Sequence, residues 1–339
     1  RMTVEILTDA AQPDTRPLLV FGCVLDGAGG CRMIAWEAVQ DWQPAHDGEV
    51  LWLHLDRTAE GAADWMRKVL PASEATIDVL ISNETRPRVF REGDGLVGVL
   101  RGINFNPGDE PEDMIAMQVW AEKTRVVTLR RRRLQTPRDV LARLQETGTG
   151  PKTAGDLVIS LTRELVGKIN SAIADMNERI DELEADAADA KHEDLLGEIG
   201  RIRRTCLAFK RYLSPQYEAL LQLQRDPPDW MSVSNRNTIR ETLDRLSRYL
   251  EDLDVSKESA LVLQDDLNNR AATEMNRTMF VFSIIAAIFL PLGFVTGLLG
   301  INVGGMPGVN SAGAFWITVV ILAVIVGIEF MLFKLMKWL

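Results

Sequence analysis

The apolar residues of this chain are concentrated at its C-terminal end. No Asp, Glu, Lys or Arg occurs from Thr278 to Ile328. A helix needs roughly 20 apolar residues to cross a membrane, and the ranges 278–299 and 314–335 each supply that length. The range between them, 300–313, is rich in Gly and contains Pro, which is typical of an exposed loop. The pattern predicts two membrane-spanning helices joined by a short extracytoplasmic loop.

Basic residues indicate how these spans are oriented. Arg270 and Arg277 precede the first span, and Lys334 and Lys337 lie at the end of the second, whereas the loop carries no charge. Basic residues are retained on the cytoplasmic side of a membrane. We therefore expect a multi-pass membrane protein with both termini in the cytoplasm and a short basic tail over 336–339.

A long helix is predicted before the first span. It starts near Ser234, and its apolar residues follow a heptad spacing: Ile239, Leu243, Leu246, Leu250, Leu253, Ala260, Leu263 and Leu267. Such a spacing predicts a helix that packs on partner helices. Because no helix breaker occurs before Pro291, we expect this stalk helix, assigned to 228–277, to continue directly into the first span.

The first 150 residues have a different pattern. Short apolar runs are separated by turn-forming residues over 1–150, which indicates a cytoplasmic α/β domain with a mixed sheet. Three β-hairpins are expected there, with turns at 26–30, 92–95 and 122–124.

After Gly150 the composition changes to that of long helices. The range 151–227 is predicted to form a cytoplasmic helical hairpin, with helices over 153–189 and 195–224 and an acidic tip between them. Together, these patterns predict an α+β cytoplasmic domain, a long helical stalk and two C-terminal transmembrane helices.

Charge and motif content exclude several classes of protein. The formal net charge of −10 argues against a nucleic-acid partner and favours a surface that attracts cations. No Walker A loop, HExxH, GxSxG or dinucleotide fingerprint occurs in the sequence, and these are the motifs that would indicate an enzyme. We therefore expect a protein that is not an enzyme and has no tightly bound cofactor.

The first span has a stripe of residues that suits a pore. Counted back from Asn302 in helical steps, the stripe is Gly297, Gly293, Leu290, Ala286, Phe282, Met279 and Asn276. It is small at the outer end, apolar in the middle and polar at the inner end. Two helices cannot enclose a pore, so this interpretation requires a homo-oligomer in the lipid bilayer. The alternative is a two-helix anchor in which the glycines serve ordinary helix packing.

The range 283–302, SIIAAIFLPLGFVTGLLGIN, resembles the CorA superfamily of divalent-cation transporters, as does the order of domains. Most members have Gly-Met-Asn where this chain has Gly300-Ile301-Asn302. That variant and the Lys-Trp-Leu end at 337–339 resemble the ZntB branch, which is associated with zinc. The loop has no acidic residue after the motif, and Gly293 stands where many members have a hydroxyl residue. Both differences count against magnesium selectivity.

The resemblance implies a homopentameric funnel in a bacterial inner membrane, with the first span lining the pore. Gly300, Ile301 and Asn302 would form the selectivity filter, and Zn²⁺ would be the transported ion. Coupling of transport to protons stays open. A plain helix C-cap is the alternative role for Asn302. Two other functions stay open: a Mg²⁺, Co²⁺ or Ni²⁺ channel of the same fold, and a membrane-anchored coiled-coil sensor or scaffold without a pore.

Candidate metal ligands are few. Zinc prefers Cys and His, but no two histidines have metal-ligand spacing and none lies in the spans. A candidate regulatory metal site is His192 with Glu193 and Asp194 at the acidic tip, and by resemblance Asp265 on the stalk is another. The alternatives are a solvated polar tip and an ordinary exposed carboxylate.

Glu329 is a charged residue within the second span. A carboxylate inside a membrane is a candidate functional group, and we regard it as a candidate proton site. The alternative is a side chain that reaches toward Lys334 and the interface.

Overall fold

The computed structural model describes residues 17–186, 192–301, 308 and 310–336. It divides into two compact units, one ending at Leu263 and one beginning at Gln264. The first unit contains a mixed sheet and several helices. The second contains the end of a long helix and one further helix.

The sheet of the first unit has seven strands. They are β1 (Leu19–Leu25), β2 (Cys31–Met33), β3 (Val50–Asp56), β4 (Arg88–Glu92), β5 (Gly95–Gly102), β6 (Ile115–Glu122) and β7 (Arg125–Arg130). Their order is β2-β1-β3-β7-β6-β5-β4. The β3–β7 pair is parallel and the other pairs are antiparallel. The predicted mixed sheet and its three hairpins, β1–β2, β4–β5 and β6–β7, are therefore confirmed.

Helices pack on both faces of the sheet. Helices α1 (Ala62–Val69) and α2 (Glu74–Ile81) pack on one face against a core that includes Leu53, Trp120 and Leu129. Helix α3 (Gln135–Ala142) follows the last strand and continues into a π-helical turn (Arg143–Thr147). On the other face, α4 (Ala154–Gly167) and α6 (His192–Arg225) line a small cavity with strand residues that include Met117 and Val119.

The helix predicted over 153–189 is two helices, α4 and α5 (Ile169–Asp186), so the prediction of one element is wrong. They are separated at Lys168, directly after Gly167. Glycine weakens a helix interior, and the Lys168 ammonium group pairs with Asp139 of α3. The second helix of the hairpin, α6, begins three residues before its predicted start at 195.

The stalk is part of one continuous helix, α7 (Val233–Leu299). Ser232 and Asn235 cap its first turn, since Ser232 N donates to Asn235 Oδ1 at 3.0 Å and Asn235 N donates to Ser232 Oγ at 3.1 Å. Its 67 residues correspond to a length of roughly 100 Å. The predicted continuation of the stalk into the first span is confirmed. The predicted apolar seam is buried along the helix, except that Leu250 is half-buried.

Candidate ion pathway in the C-terminal helices

Two helices of the second unit are long and apolar enough to cross a membrane: the end of α7 and α8 (Ala314–Leu335). Their hydroxyl groups are satisfied locally. Ser283 Oγ donates to the carbonyl oxygen of Met279 at 2.8 Å, and Thr296 Oγ1 donates to that of Leu292 at 2.9 Å. Such bonds to the preceding turn let polar side chains lie in an apolar helix. Pro291 has no N–H, so it breaks one backbone hydrogen bond inside the span.

The membrane part of α7 has two different faces. Its half-buried positions are Ile284, Ala287, Ile288, Pro291, Leu292 and Val295. Because α8 is the other described helix of this unit, these positions form the face that packs on α8. The residues predicted to line the pore are all exposed: Asn276, Met279, Phe282, Ala286, Leu290, Gly293 and Gly297. At about 100° per residue, the centres of the two sets lie on opposite sides of the helix. Most of the stripe therefore points away from α8, whereas Gly293 borders an open groove that α8 also lines.

The glycines of the stripe are not required by packing within the chain. A Cβ atom added at Gly293 or at Gly297 would meet no heavy atom within 4 Å among the described residues. In the anchor interpretation, these glycines would let α7 and α8 approach closely. The space around them does not support that interpretation. Packing among the described residues therefore gives no reason for small side chains at these two positions.

The filter motif lies at the end of α7. Helix α7 ends at Leu299, and Gly300 N donates to the carbonyl oxygens of Thr296 at 2.9 Å and Gly297 at 3.2 Å. Ile301 is exposed. Asn302 lies outside the described residues, as does most of the loop. Its assignment to the filter therefore stays a prediction, and so does its alternative role as a C-cap.

The candidate regulatory residues are not brought together with other metal ligands. Asp265 is exposed on α7, and its neighbour Asp266 pairs with Arg270 Nη2 at 2.7 Å. Asp194 is exposed near the start of α6, which begins with His192 and Glu193, whose side chains lie outside the described part. Within 17–186, 192–301 and 310–336, no three His, Cys, Asp or Glu residues are placed to hold a metal ion.

His54 has a structural environment that the sequence did not indicate. It lies in the centre of the sheet on β3, and its Nδ1 is 2.9 Å from Thr128 Oγ1 of β7. Trp52 Nε1 donates to the same hydroxyl oxygen at 3.0 Å. Burial, with a smaller contribution from Arg130 and Arg138, lowers the pKa of His54 to about 3. His54 is therefore a neutral core residue near pH 7 and is not accessible to a metal ion from solvent.

Glu329 lies on the side of α8 that faces α7. The less exposed positions of α8 are Ala314, Thr318, Leu322, Ile325, Glu329 and Phe333. An open groove beside them is lined by both helices, with Leu322 and Val326 from α8 and Leu292, Gly293 and Thr296 from α7. Both carboxylate oxygens of Glu329 are buried, and neither has a hydrogen-bond partner in the described part of the chain. Glu329 therefore forms no hydrogen bond with Lys334, and its role as a proton site stays a prediction.

The chain matches the family model described as CorA-like Mg2+ transporter protein over residues 47–335. It is 39% identical over 330 residues to the divalent cation transporter CmaX of Pseudomonas aeruginosa, which covers 95% of this chain and 97% of that protein. It is 33% identical over 315 residues to the zinc transport protein ZntB of Pectobacterium atrosepticum, and this match covers 93% of this chain and 94% of that protein.

Solved structures agree with this assignment. The structure of full-length CmaX matches this chain with a TM-score of 0.82 at 35% sequence identity. The match covers 96% of this chain and 100% of the CmaX chain. The CorA magnesium transporter of Methanocaldococcus jannaschii matches with a TM-score of 0.78 and covers 94% of this chain and 98% of that chain. Its identity is 14%, so this likeness shows the fold alone. The predicted fold class and the resemblance carried by 283–302 are confirmed.

Proposed function

The chain belongs to the family of CorA-like Mg2+ transporters, and we propose that it carries zinc across a bacterial inner membrane through a pore formed by five identical copies. Transport of divalent cations is the activity that its family and its named relatives share. The choice of zinc, the pentamer, the membrane and the cytoplasmic position of both termini are parts of the proposal. Transport then depends on ion gradients and the membrane potential, and we propose neither an enzymatic activity nor a tightly bound cofactor.

The exposed stripe of α7 is the observation that carries the pore. It contains two glycines that have free space around them among the described residues, and Gly297 lies on the side of α7 opposite to α8. In a ring of five chains, such a face is available to line a channel, and its small residues leave room for an ion. A scaffold or sensor that is merely anchored by two spans gives no reason for glycines with free space around them in the described part of the chain.

The choice of zinc rests on the filter residues and on the named relatives. The sequence from Asn302 to Gly313 contains no Asp or Glu, so the outer mouth has no carboxylate to hold a strongly hydrated Mg²⁺. Neutral oxygens such as those of an Asn ring can recognise the water shell of an ion without trapping it. No Cys or His lies in the spans, which fits passage of a weakly held ion rather than a tight zinc cage.

The test is zinc uptake by proteoliposomes that contain the full-length chain and an internal zinc-sensitive dye. We expect Asn302→Ala to abolish uptake while the protein still elutes as a pentamer. Asn310→Ala, in the same loop, is the matched control and should transport normally. Uptake at the wild-type rate by Asn302→Ala would remove the filter assignment. Uptake of magnesium without zinc would favour the Mg²⁺, Co²⁺ or Ni²⁺ channel, and uptake of neither by the wild type would favour the scaffold.

A further inference from the structure

Three sulfur-containing side chains share one face of the hairpin that β1 and β2 form. Cys23 of β1 lies directly opposite Met33 of β2, and Cys31 lies opposite Leu25. Residues two positions apart on a strand project from the same face of a sheet. Cys23, Cys31 and Met33 are therefore neighbours on one face, and we call these three residues the sulfur cluster.

The spacing of the hairpin brings the members of the sulfur cluster close together. Ile34 N donates to the carbonyl oxygen of Gly22 at 3.0 Å, so these two residues form a hydrogen-bonded pair. The adjacent pair, Cys23 and Met33, is then of the type that shares no backbone hydrogen bonds and is more closely spaced. Cys31 is the diagonal neighbour of Cys23, and the Cys23 thiol donates a hydrogen bond to the Cys31 sulfur.

The two thiols differ in acidity and in exposure. The hydrogen bond between them, with burial as the next cause, raises the pKa of Cys23. The same hydrogen bond lowers the pKa of Cys31. Cys23 is fully buried, Cys31 is half-buried and Met33 is 49% exposed. Solvent therefore reaches the cluster from β2, on the side of the more acidic thiol, and the thiolate is the form of cysteine that binds metals.

The turn beside the sulfur cluster is fixed by hydrogen bonds and carries a negative charge. Asp26 Oδ1 accepts from the backbone N–H groups of three turn residues at 2.7, 3.0 and 3.0 Å, namely Ala28, Gly29 and Gly30. Gly150 N donates to the carbonyl oxygen of Gly29 at 2.9 Å, which fastens the tip to the segment after the π-helical turn. The Asp26 carboxylate acts electrostatically on Cys31, and its charge favours a cation at this position.

The donor atoms indicate which class of metal ion the cluster suits. Thiolate and thioether sulfur are soft ligands that favour soft ions such as Cu(I). Structural zinc takes four ligands, commonly Cys and His, but no three His, Cys, Asp or Glu residues are grouped to hold a metal among the residues that the structure describes. His54 lies on the same face, but it is buried and bonded to Thr128. Cu(I) accepts fewer ligands than zinc, so two thiolates and a thioether suffice for it.

A disulfide is the other product that two neighbouring thiols can form. Diagonal residues on adjacent strands have Cα atoms roughly 7–8 Å apart, and a disulfide does not bridge more than about 7 Å unless the backbone moves. An ion between the two sulfurs adds two bonds of roughly 2.3 Å each and spans this separation. The geometry of the hairpin therefore favours a bridging metal ion over a direct bond between Cys23 and Cys31.

We propose that Cys23, Cys31 and Met33 form a binding site for one Cu(I) ion in the first unit of the chain. The ion enters from the exposed side at Met33, and each thiol loses its proton to water as its sulfur–copper bond forms. Copper stays in the Cu(I) state throughout, so the step needs no oxidant or reductant. The bound ion joins β1 to β2 and stabilises the folded chain. The proposed zinc pathway uses none of these residues, so the two proposals stand or fall separately.

The test is an anaerobic titration of the reduced full-length chain in detergent with Cu(I), in competition with the coloured chelator bicinchoninate. We expect one tightly bound Cu(I) per chain and at least tenfold weaker binding by Cys31→Ser and by Met33→Leu. Cys206→Ser is the matched control and should bind as the wild type does, because Cys206 is a buried thiol that donates to Met176 Sδ at 3.3 Å. A wild type that binds no Cu(I), or equal affinities of Cys31→Ser and Cys206→Ser, would overturn the proposal.

Two further readouts separate loss of the site from loss of folding. The X-ray absorption spectrum of the bound copper should show sulfur neighbours alone, and nitrogen or oxygen neighbours would refute the assignment. An ion that binds the folded chain raises its thermal unfolding midpoint, so Cu(I) should raise the midpoint of the wild type and Cys206→Ser but not that of Cys31→Ser. An equal rise in all three would place the copper elsewhere. Met33→Leu changes an exposed position and decides the question if Cys31→Ser is unstable without copper.

Discussion

Substitution of Gly297 is expected to affect stability and transport in opposite directions. Glycine inside a helix costs about 1 kcal/mol relative to alanine. A Cβ atom at Gly297 would meet no heavy atom within 4 Å in the described chain, so no clash offsets this gain. Gly297→Ala should therefore leave the free energy of unfolding of the single chain unchanged or raise it by up to about 1 kcal/mol. A glycine needed for contact between α7 and α8 would give the opposite result.

Transport should decrease because the stripe lines the pore in the proposed pentamer. Each added Cα–Cβ bond is roughly 1.5 Å long, so a ring of new side chains narrows the channel by roughly 3 Å across. An increase of about 1.4 kcal/mol in the barrier lowers the rate about tenfold, and we expect at least this loss for Gly297→Val. The assay is zinc uptake by proteoliposomes, alongside the thermal unfolding midpoint in detergent.

Gly327 provides a matched control for this substitution. It lies in the middle of α8, and a Cβ atom there also meets no heavy atom within 4 Å in the described chain. Gly327→Val should leave zinc uptake unchanged, because the second span does not line the proposed pore. The pore assignment is refuted if Gly297→Val transports as well as Gly327→Val. The packing argument is refuted if Gly297→Ala lowers the unfolding midpoint.

Two further predictions concern the first unit, and both are measured as thermal unfolding of the full chain in detergent. Gly155→Ala should destabilise the folded chain by about 1–3 kcal/mol, because its Cβ would clash with the Asn235 side chain that caps α7. Gly197→Ala is the control and should not destabilise the chain, because a Cβ has free space there. Equal effects of the two substitutions would contradict the clash. His54 has its pKa lowered to about 3, so the unfolded chain binds a proton below about pH 6.5 that the folded chain does not bind. The free energy of unfolding should therefore decrease by about 1.4 kcal/mol per pH unit from pH 6.5 toward 5. This pH dependence should be lost in His54→Asn but kept in the exposed control His46→Asn. A wild-type slope in His54→Asn would refute the assignment of the pH dependence to His54.

The elements of this chain were predictable where a local pattern determines them. The heptad from Ile239 to Leu267 and the uncharged run after Thr278 specify one long helix and two spans, because each pattern matches a single period or length. The hairpin turns were predictable because Gly and charged residues interrupt apolar runs. The break at Lys168 was not predictable from the local pattern, since apolar residues continue on both sides of it; the ion pair that Lys168 forms with Asp139 joins residues 29 positions apart in the sequence.

The environment of individual side chains required the structure. Gly155 and Gly297 look alike in the sequence, as single glycines in helices, but a methyl group has no room at one and ample room at the other. His54 follows the alternation of a strand, yet its hydrogen bond comes from Thr128, which β7 brings alongside through the parallel pairing of β3 and β7. Glu329 illustrates the same point, since the sequence left open whether its carboxylate reaches toward Lys334 and the interface, and in the structure both of its oxygens are buried.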